Sequence, residues 1–211
     1  MGKAVFVTGI DTNTGKSYAT GFLANEFAAK GYSVITQKLI QTGNNGISED
    51  IEIHRKIMGT GLLPEDLDGT TCPIVLSYPA SPSLAARIDN VRINWDKIKN
   101  ATATLQQKYD LTLIEGIGGI MTPVTENDTI LDYIKDQKLP VYLVTSPKLG
   151  SVNHTLLSLE ACRNAEIEIL GIIYNKFHVE DEVICADTEQ YLRRYLKKHF
   201  TKSVWIEIGN I

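Results

Sequence analysis

The apolar run Ala4-Val5-Phe6-Val7 leads directly into Gly9-Ile10-Asp11-Thr12-Asn13-Thr14-Gly15-Lys16-Ser17. A buried strand, a glycine-bounded loop and then Lys-Ser at the head of a helix commit this end of the chain to a strand–loop–helix unit. Such a unit is a phosphate cradle. Its glycines let backbone N–H groups turn toward an anion, and the helix N-terminus adds donors and partial positive charge. Lys16 is placed to reach the outer phosphates and Ser17 to ligate magnesium, as in a P-loop. Asn13, Thr14, Gly15 and Tyr18 complete the expected nucleotide-binding stretch. Five residues separate Gly9 from Gly15, where the strict P-loop pattern has four, so the pattern departs at Ile10.

The remainder alternates in the same way. Short apolar runs at 4–8, 32–36, 111–114, 141–145, 169–174 and 204–208 read as strands buried on both faces. Between them apolar residues recur at helical spacing: Tyr18, Phe22, Leu23 and Phe27; Val152, Leu156, Leu159 and Cys162; Ile184, Tyr191, Leu192, Tyr195 and Leu196. Gly31 and Gly59 stand where helices would end. The expected fold is α/β, a mainly parallel sheet with helices on both faces, P-loop NTPase-like, with residues 1–211 as a single domain. Ligands are then expected at the carboxyl ends of the strands. Residues 59–82 break the rhythm and hold four of the seven prolines. This long irregular segment is either a solvated connection or a functional loop.

Composition narrows the classes. A chain of 211 residues with 43% hydrophobic and 22% charged content can build a sizeable core. The net charge of −4 argues against nucleic-acid or membrane partners. Arg193-Arg194 and Lys197-Lys198 read as solvated charge on a helix. No apolar run approaches bilayer length, and a strand beginning at once leaves no room for a signal peptide. Cys72, Cys162 and Cys185 suit neither a disulfide framework nor a zinc site. A cytoplasmic enzyme is expected.

Chemistry-bearing residues cluster at the strand ends. Lys38, after the second strand, could hold a second anion or stabilise a transferring phosphoryl group, or be a surface lysine. Thr42, before Gly43, could face a ligand. Asp50 opens a helix, where its charge either serves a metal or complements the dipole. Glu115 ends an apolar strand and precedes Gly116-Ile117-Gly118-Gly119, the place where P-loop enzymes carry an acidic magnesium partner. Asn175-Lys176 ends another strand. GTPases carry Asn-Lys-x-Asp there, but His178 replaces the Asp, so adenine is favoured over guanine; an Asn amide offers both donor and acceptor. In Lys148-Leu149-Gly150-Ser151-Val152-Asn153-His154, Ser151 is either a helix cap or part of a helix N-terminus that receives a carboxylate. His54, His178 and His199 are given no role.

Together these motifs resemble the dethiobiotin synthetases over residues 4–176. The first loop is similar to that family's Gly-Thr-Asp-Thr-x-x-Gly-Lys-Thr, extra residue included. Lys38 with Thr42-Gly43 resembles Lys-Pro-x-x-Ser/Thr-Gly, with Leu39 in place of proline. Glu115-Gly116-Ile117-Gly118-Gly119 with Thr122-Pro123 resembles Glu-Gly-Ala-Gly-Gly…Pro. Lys148-Leu149-Gly150 with Asn153-His154 resembles Lys-Leu-Gly-x-x-Asn-His. The resemblance implies ATP- and magnesium-dependent closure of 7,8-diaminononanoate with carbon dioxide, through a carbamate and a carbamic-phosphoric anhydride, in biotin biosynthesis. It implies Lys16 on the phosphates, Lys38 on carbamate and γ-phosphate, and Thr12 beside the carbamate. Ser17, Asp50 and Glu115 would serve magnesium. Gly116, Ile117, Gly118, Asn175 and Lys176 would line the nucleotide. Thr42, Pro82, Gly118 and Gly150, Ser151, Val152 and Asn153 would line the substrate. Its carboxylate would meet the last of these on a neighbouring subunit, which implies a homodimer. Ser83 stands where many relatives carry histidine. The family's proline-rich loop after the last strand has no counterpart before Ile211, so broad nucleotide use is expected.

Other readings remain at this point. A partitioning ATPase would carry a second lysine where Ile10 stands. An amidoligase of cobalamin synthesis would need an additional glutamine amidotransferase domain. A regulatory GTPase is disfavoured by His178.

Overall fold

The computed structural model describes residues 1–177, 179 and 181–209. Its first unit is β1 (Lys3–Gly9) followed by α1 (Lys16–Ala29). β2 (Val34–Lys38) and the two-residue β3 (Gln41–Thr42) follow, then α2 (Glu49–Met58), α3 (Pro64–Leu67), β4 (Val75–Leu76), α4 (Pro82–Ile88) and α5 (Trp95–Lys108). The remainder alternates: β5 (Leu111–Gly119), α6 (Ile130–Asp136), β6 (Val141–Thr145), α7 (Ser151–Asn164), β7 (Ile169–Asn175), α8 (Glu182–His199) and β8 (Val204–Ile208).

Six strands form one sheet in the order β2-β5-β1-β6-β7-β8, with every neighbouring pair parallel. The strand residues alternate between two apolar layers, which explains their continuous apolar character. Phe6, Ile114, Val141 and Leu143 face one layer, closed by Ile98 of α5, Tyr133 and Ile134 of α6, Leu159 and Cys162 of α7, and Leu196 of α8. Val5, Val7, Leu113, Tyr142 and Val144 face the other, closed by Ala19, Leu23 and Ala24 of α1. This is the α/β arrangement expected. β1 lies between β5 and β6, and the chain leaves it to either side, so a crevice opens at its carboxyl end.

Three local expectations are corrected. The second strand runs from Val34 to Lys38, not 32–36. Gly31 turns the chain out of α1, and pairing with β5 begins only at Val34, opposite Leu111. Segment 59–82 is partly regular: it contains α3, and β4 pairs in parallel with β3. Ser151 does not cap α7. Gly150, with φ 91°, is the N-cap, and the buried Ser151 Oγ makes no hydrogen bond among the described residues.

Candidate functional site: a phosphate loop beside a buried charge cluster

The loop between β1 and α1 folds back on itself. The Lys16 ammonium donates to the Asp11 carbonyl at 2.8 Å, and the Thr14 hydroxyl donates to the same oxygen at 3.2 Å. Thr12 and Asn13 are exposed at its tip, Asn13 with φ 60°. Gly15 caps α1 at φ 84°, and a Cβ there would lie 2.1 Å from the Asn175 amide nitrogen, so glycine is required on both counts. No side chain caps α1 and no acid sits in its first turn, so its leading amides stay available to an anion.

Behind the loop, three elements deliver charge to one point. The Lys38 ammonium, at the end of β2, lies 2.6 Å from Asp50 Oδ2 and 2.8 Å from Glu115 Oε1 and donates to the Gly116 carbonyl at 2.9 Å. Ser17, in the first turn of α1, has its single O–H donor within reach of both carboxylates, 2.7 Å from Asp50 Oδ1 and 3.1 Å from Glu115 Oε1. Ser48 caps α2 by accepting from Ile51 N, which places Asp50 in that helix's first turn. Glu115 shares the sheet face of Leu111 and Leu113, toward α1 and α2.

Electrostatics follow from burial. Burial depresses the Lys16 ammonium and nearby Lys38 adds to it, giving a pKa of about 8. Burial would depress Lys38 too, but facing Glu115 and Asp50 override it and raise the pKa above the ordinary lysine value. Burial would raise Glu115, yet Lys38 and the hydrogen bond from His54 bring its carboxyl down to about 2.

The donor set suits magnesium: one hydroxyl and two carboxylates, all hard oxygens, already gathered around a cationic group. Among the described residues no group of three or more His, Cys, Asp or Glu could hold a metal alone.

The other expected residues are spread around this centre. The Asn175 amide donates to the Thr14 carbonyl at 3.0 Å, and its oxygen accepts from Phe177 N at 3.0 Å. One N–H and one lone pair remain for a base. Lys176 is committed to Glu189 at 2.6 Å and Glu207 at 2.7 Å. Tyr18 stacks on Phe177 with centroids 5.3 Å apart. His178 lies outside the described residues. Beside Asn175 a cavity of about 250 Å³ is lined by Asn13, Ser146, Lys148 and Asp181. Thr42 lies half-buried on β3, and Pro79 packs on adjacent Gly43, bringing segment 78–82 alongside. Pro82 is buried in the first turn of α4. Gly116, Ile117 and Gly118 continue β5 past Glu115, Gly118 at φ 60°. Gly150, Ser151, Val152 and Asn153 open α7 beyond β6, across β1 from Glu115.

Two residues were missed. His54 Nε2 lies 2.6 Å from Glu115 Oε2, and its position four residues after Asp50 on one helix face was the available signal. Asp181, which caps α8, had none in its spacing from Asn175.

Fold and loop define the class: a parallel α/β nucleotide-binding protein of the P-loop kind. Solved structures agree on the fold. The pNOB8 ParA protein bound to nonspecific DNA superposes with a TM-score of 0.57 at 12% identity, covering 100% of this chain and 86% of that one. A Borrelia burgdorferi putative plasmid partition protein bound to AMPPNP gives 0.56 at 17%, covering 100% and 87%. An AAA domain family model matches residues 3–204. The ATP-dependent dethiobiotin synthetase BioD 2 of Haemophilus ducreyi is 52% identical over 206 residues, 98% of this chain and 98% of the relative. BioD of Chlorobaculum tepidum is 46% identical over 198 residues, 94% of this chain and 83% of the relative. The chain belongs to the ATP-dependent dethiobiotin synthetase family.

Proposed function

We propose that this protein is an ATP-dependent dethiobiotin synthetase, a ligase of biotin biosynthesis that closes 7,8-diaminononanoate with carbon dioxide to dethiobiotin. The observation that carries the reading is the buried Lys38 ammonium, within 2.8 Å of both Asp50 and Glu115, beside the P-loop serine. Carbon dioxide adds to one amine of the diamine, leaving a carbamate. Its oxygen takes the γ-phosphoryl group of ATP, releasing ADP. The second amine attacks the carbamoyl carbon, expels phosphate and closes the ring. Each amine gives up a proton as its N–C bond forms, and every step leaves negative charge on oxygen of the carbamate, ADP or phosphate, so catalysis asks for fixed positive charge rather than a protein nucleophile.

Lys16 binds the phosphates, and Lys38 turns from its carboxylates to the carbamate and γ-phosphate, with Thr12 beside the carbamate. Ser17, Asp50 and Glu115 hold magnesium, which when bound neutralises phosphate charge. Asn175 reads adenine with its remaining donor and acceptor. The whole chain acts as one cytoplasmic ligase domain, and among its described residues no helix is long and apolar enough to cross a membrane. A homodimer fits the apolar groups beside α7. Met121 is 58% exposed, Leu149 81% and Leu157 61%, the first and last lining a cleft of about 370 Å³ with His154. A second copy packed there would bring the head of its α7 to the substrate carboxylate.

The test is product mass spectrometry with ATP, magnesium, bicarbonate and 7,8-diaminononanoate. Dethiobiotin in the complete mixture alone supports the reading. None, from folded protein that binds ATP, overturns it.

A further inference from the structure

The two oxygens of the Glu115 carboxylate have different employment. Oε1 faces the cleft, 2.8 Å from the Lys38 ammonium and 3.1 Å from the Ser17 hydroxyl. Oε2 points the other way and meets His54 Nε2 at 2.6 Å. His54 is fully buried. An ionised carboxylate only accepts, so the imidazole carries its hydrogen on Nε2 and donates it. Nδ1 then has no partner among the described residues, in an interior position. An orphaned buried nitrogen is a standing cost, and an aliphatic side chain would fill the space without it. The ring therefore has a use, and among the described residues its hydrogen bond is the one to Glu115 Oε2.

The helix that carries His54 is itself fixed. The adjacent Arg55, also buried, donates twice to Asp66 at 2.8 Å and once to Thr36 Oγ1 at 2.8 Å, pinning α2 to α3 and β2. One turn before His54, the same face of α2 presents Asp50 to Lys38 and Ser17. Thus α2 supplies one acidic group to the cleft and the clamp on the other.

We infer that His54 is a positioning residue that commits Glu115 Oε2 and leaves only Oε1 for a cleft cation, so the site discriminates magnesium from calcium. Magnesium needs compact octahedral ligation, whereas calcium tolerates higher coordination and readily takes both oxygens of a carboxylate. A carboxylate held by a neighbouring imidazole can give one oxygen; released, it can turn and give two. This rests on the magnesium role proposed for Ser17, Asp50 and Glu115.

The experiment is calorimetric titration of the protein, in the presence of ADP, with magnesium and separately with calcium. The variants are His54→Leu, His54→Asn and His54→Gln. Loss of a hydrogen-bond partner behind a metal ligand costs about 10–100-fold in affinity. His54→Leu should lose magnesium affinity by that factor while losing less for calcium, so the magnesium-to-calcium preference falls. The Gln amide nitrogen reaches the position of Nε2 and should restore most of the preference. The shorter Asn amide should not. If His54→Leu fails to fold, the Gln–Asn difference carries the test. Equal loss for both cations, no loss, or equal behaviour of Gln and Asn overturns the inference. Wild-type protein that binds ADP with no magnesium dependence overturns instead the metal role on which it rests.

Discussion

Replacing Lys38 by alanine separates two things this side chain does. Lys38 is 3% exposed and is the cation between Asp50 and Glu115. Removing one partner of a buried ion pair costs about 3–5 kcal/mol, because the remaining charge is stranded. The Asp50 side chain retains 21% exposure, which favours the lower end, roughly 3 kcal/mol. For a chain of this length that is a fall in melting temperature of about 6–12 °C. Magnesium should return part of the loss by mass action, since two unneutralised carboxylates then share a site. Turnover should fall on the order of ~10²-fold or more, the size of lost transition-state charge stabilisation. Thermal melts with and without magnesium, and initial rates of dethiobiotin formation, read both effects. Lys38→Ala that melts with wild type and turns over near its rate would refute the reasoning at both points. Retained turnover with a lowered melting temperature would leave the cluster structural.

Other outcomes follow from the same geometry. The Glu115 pKa of about 2 lies below its ordinary 4.5, so between those values the unfolded chain binds more protons. Stability is complete above that window and is lost as pH falls through it; denaturant titrations should show a shallower acid limb for Glu115→Gln, and an unchanged limb would contradict the assignment. Lys16 has the same sense at higher pH: with its pKa lowered to about 8, the folded state binds fewer protons between there and 10.5, so stability rises with pH across that window. Phosphate binding should restore the charge, so ATP binding should take up about half a proton at pH 8 and most of one near pH 9, measured by calorimetry in buffers of different ionisation enthalpy. No uptake would show Lys16 already fully protonated. For the dimer, Leu157→Glu should yield monomers in analytical ultracentrifugation and lower turnover; an unchanged sedimentation profile would remove α7 from the interface.

What was legible in the sequence was what local pattern encodes. Strands buried on both faces announce themselves as unbroken apolar runs, so β1, β5 and β6 and the parallel character of the sheet could be read directly, though not its strand order. Lys38 and Glu115 were singled out because each sits just where such a run ends, and Ser17 because it follows Gly15-Lys16 at the end of the phosphate loop. What escaped depends on distant partners or on backbone angle. His54 differs from any helical histidine only through Glu115, 61 residues away. The pairing of β3 with β4 involves two residues on each strand and leaves no periodicity to find. Ser151 has the right chemistry for a cap, but Gly150 takes the capping position in a left-handed conformation and starts the helix one residue earlier, at Ser151 itself. The start of β2 was misplaced because Tyr32 is apolar yet 52% exposed, stacked edge-on against Phe27 rather than paired in the sheet.

The central claim is tested most directly by following carbon from labelled bicarbonate. Purified protein with ATP, magnesium and 7,8-diaminononanoate should give dethiobiotin carrying one label in the ring carbonyl, with one ADP formed per ring closed and none when the diamine is omitted. ATP consumed at the same rate with and without the diamine, and no labelled product, would contradict it.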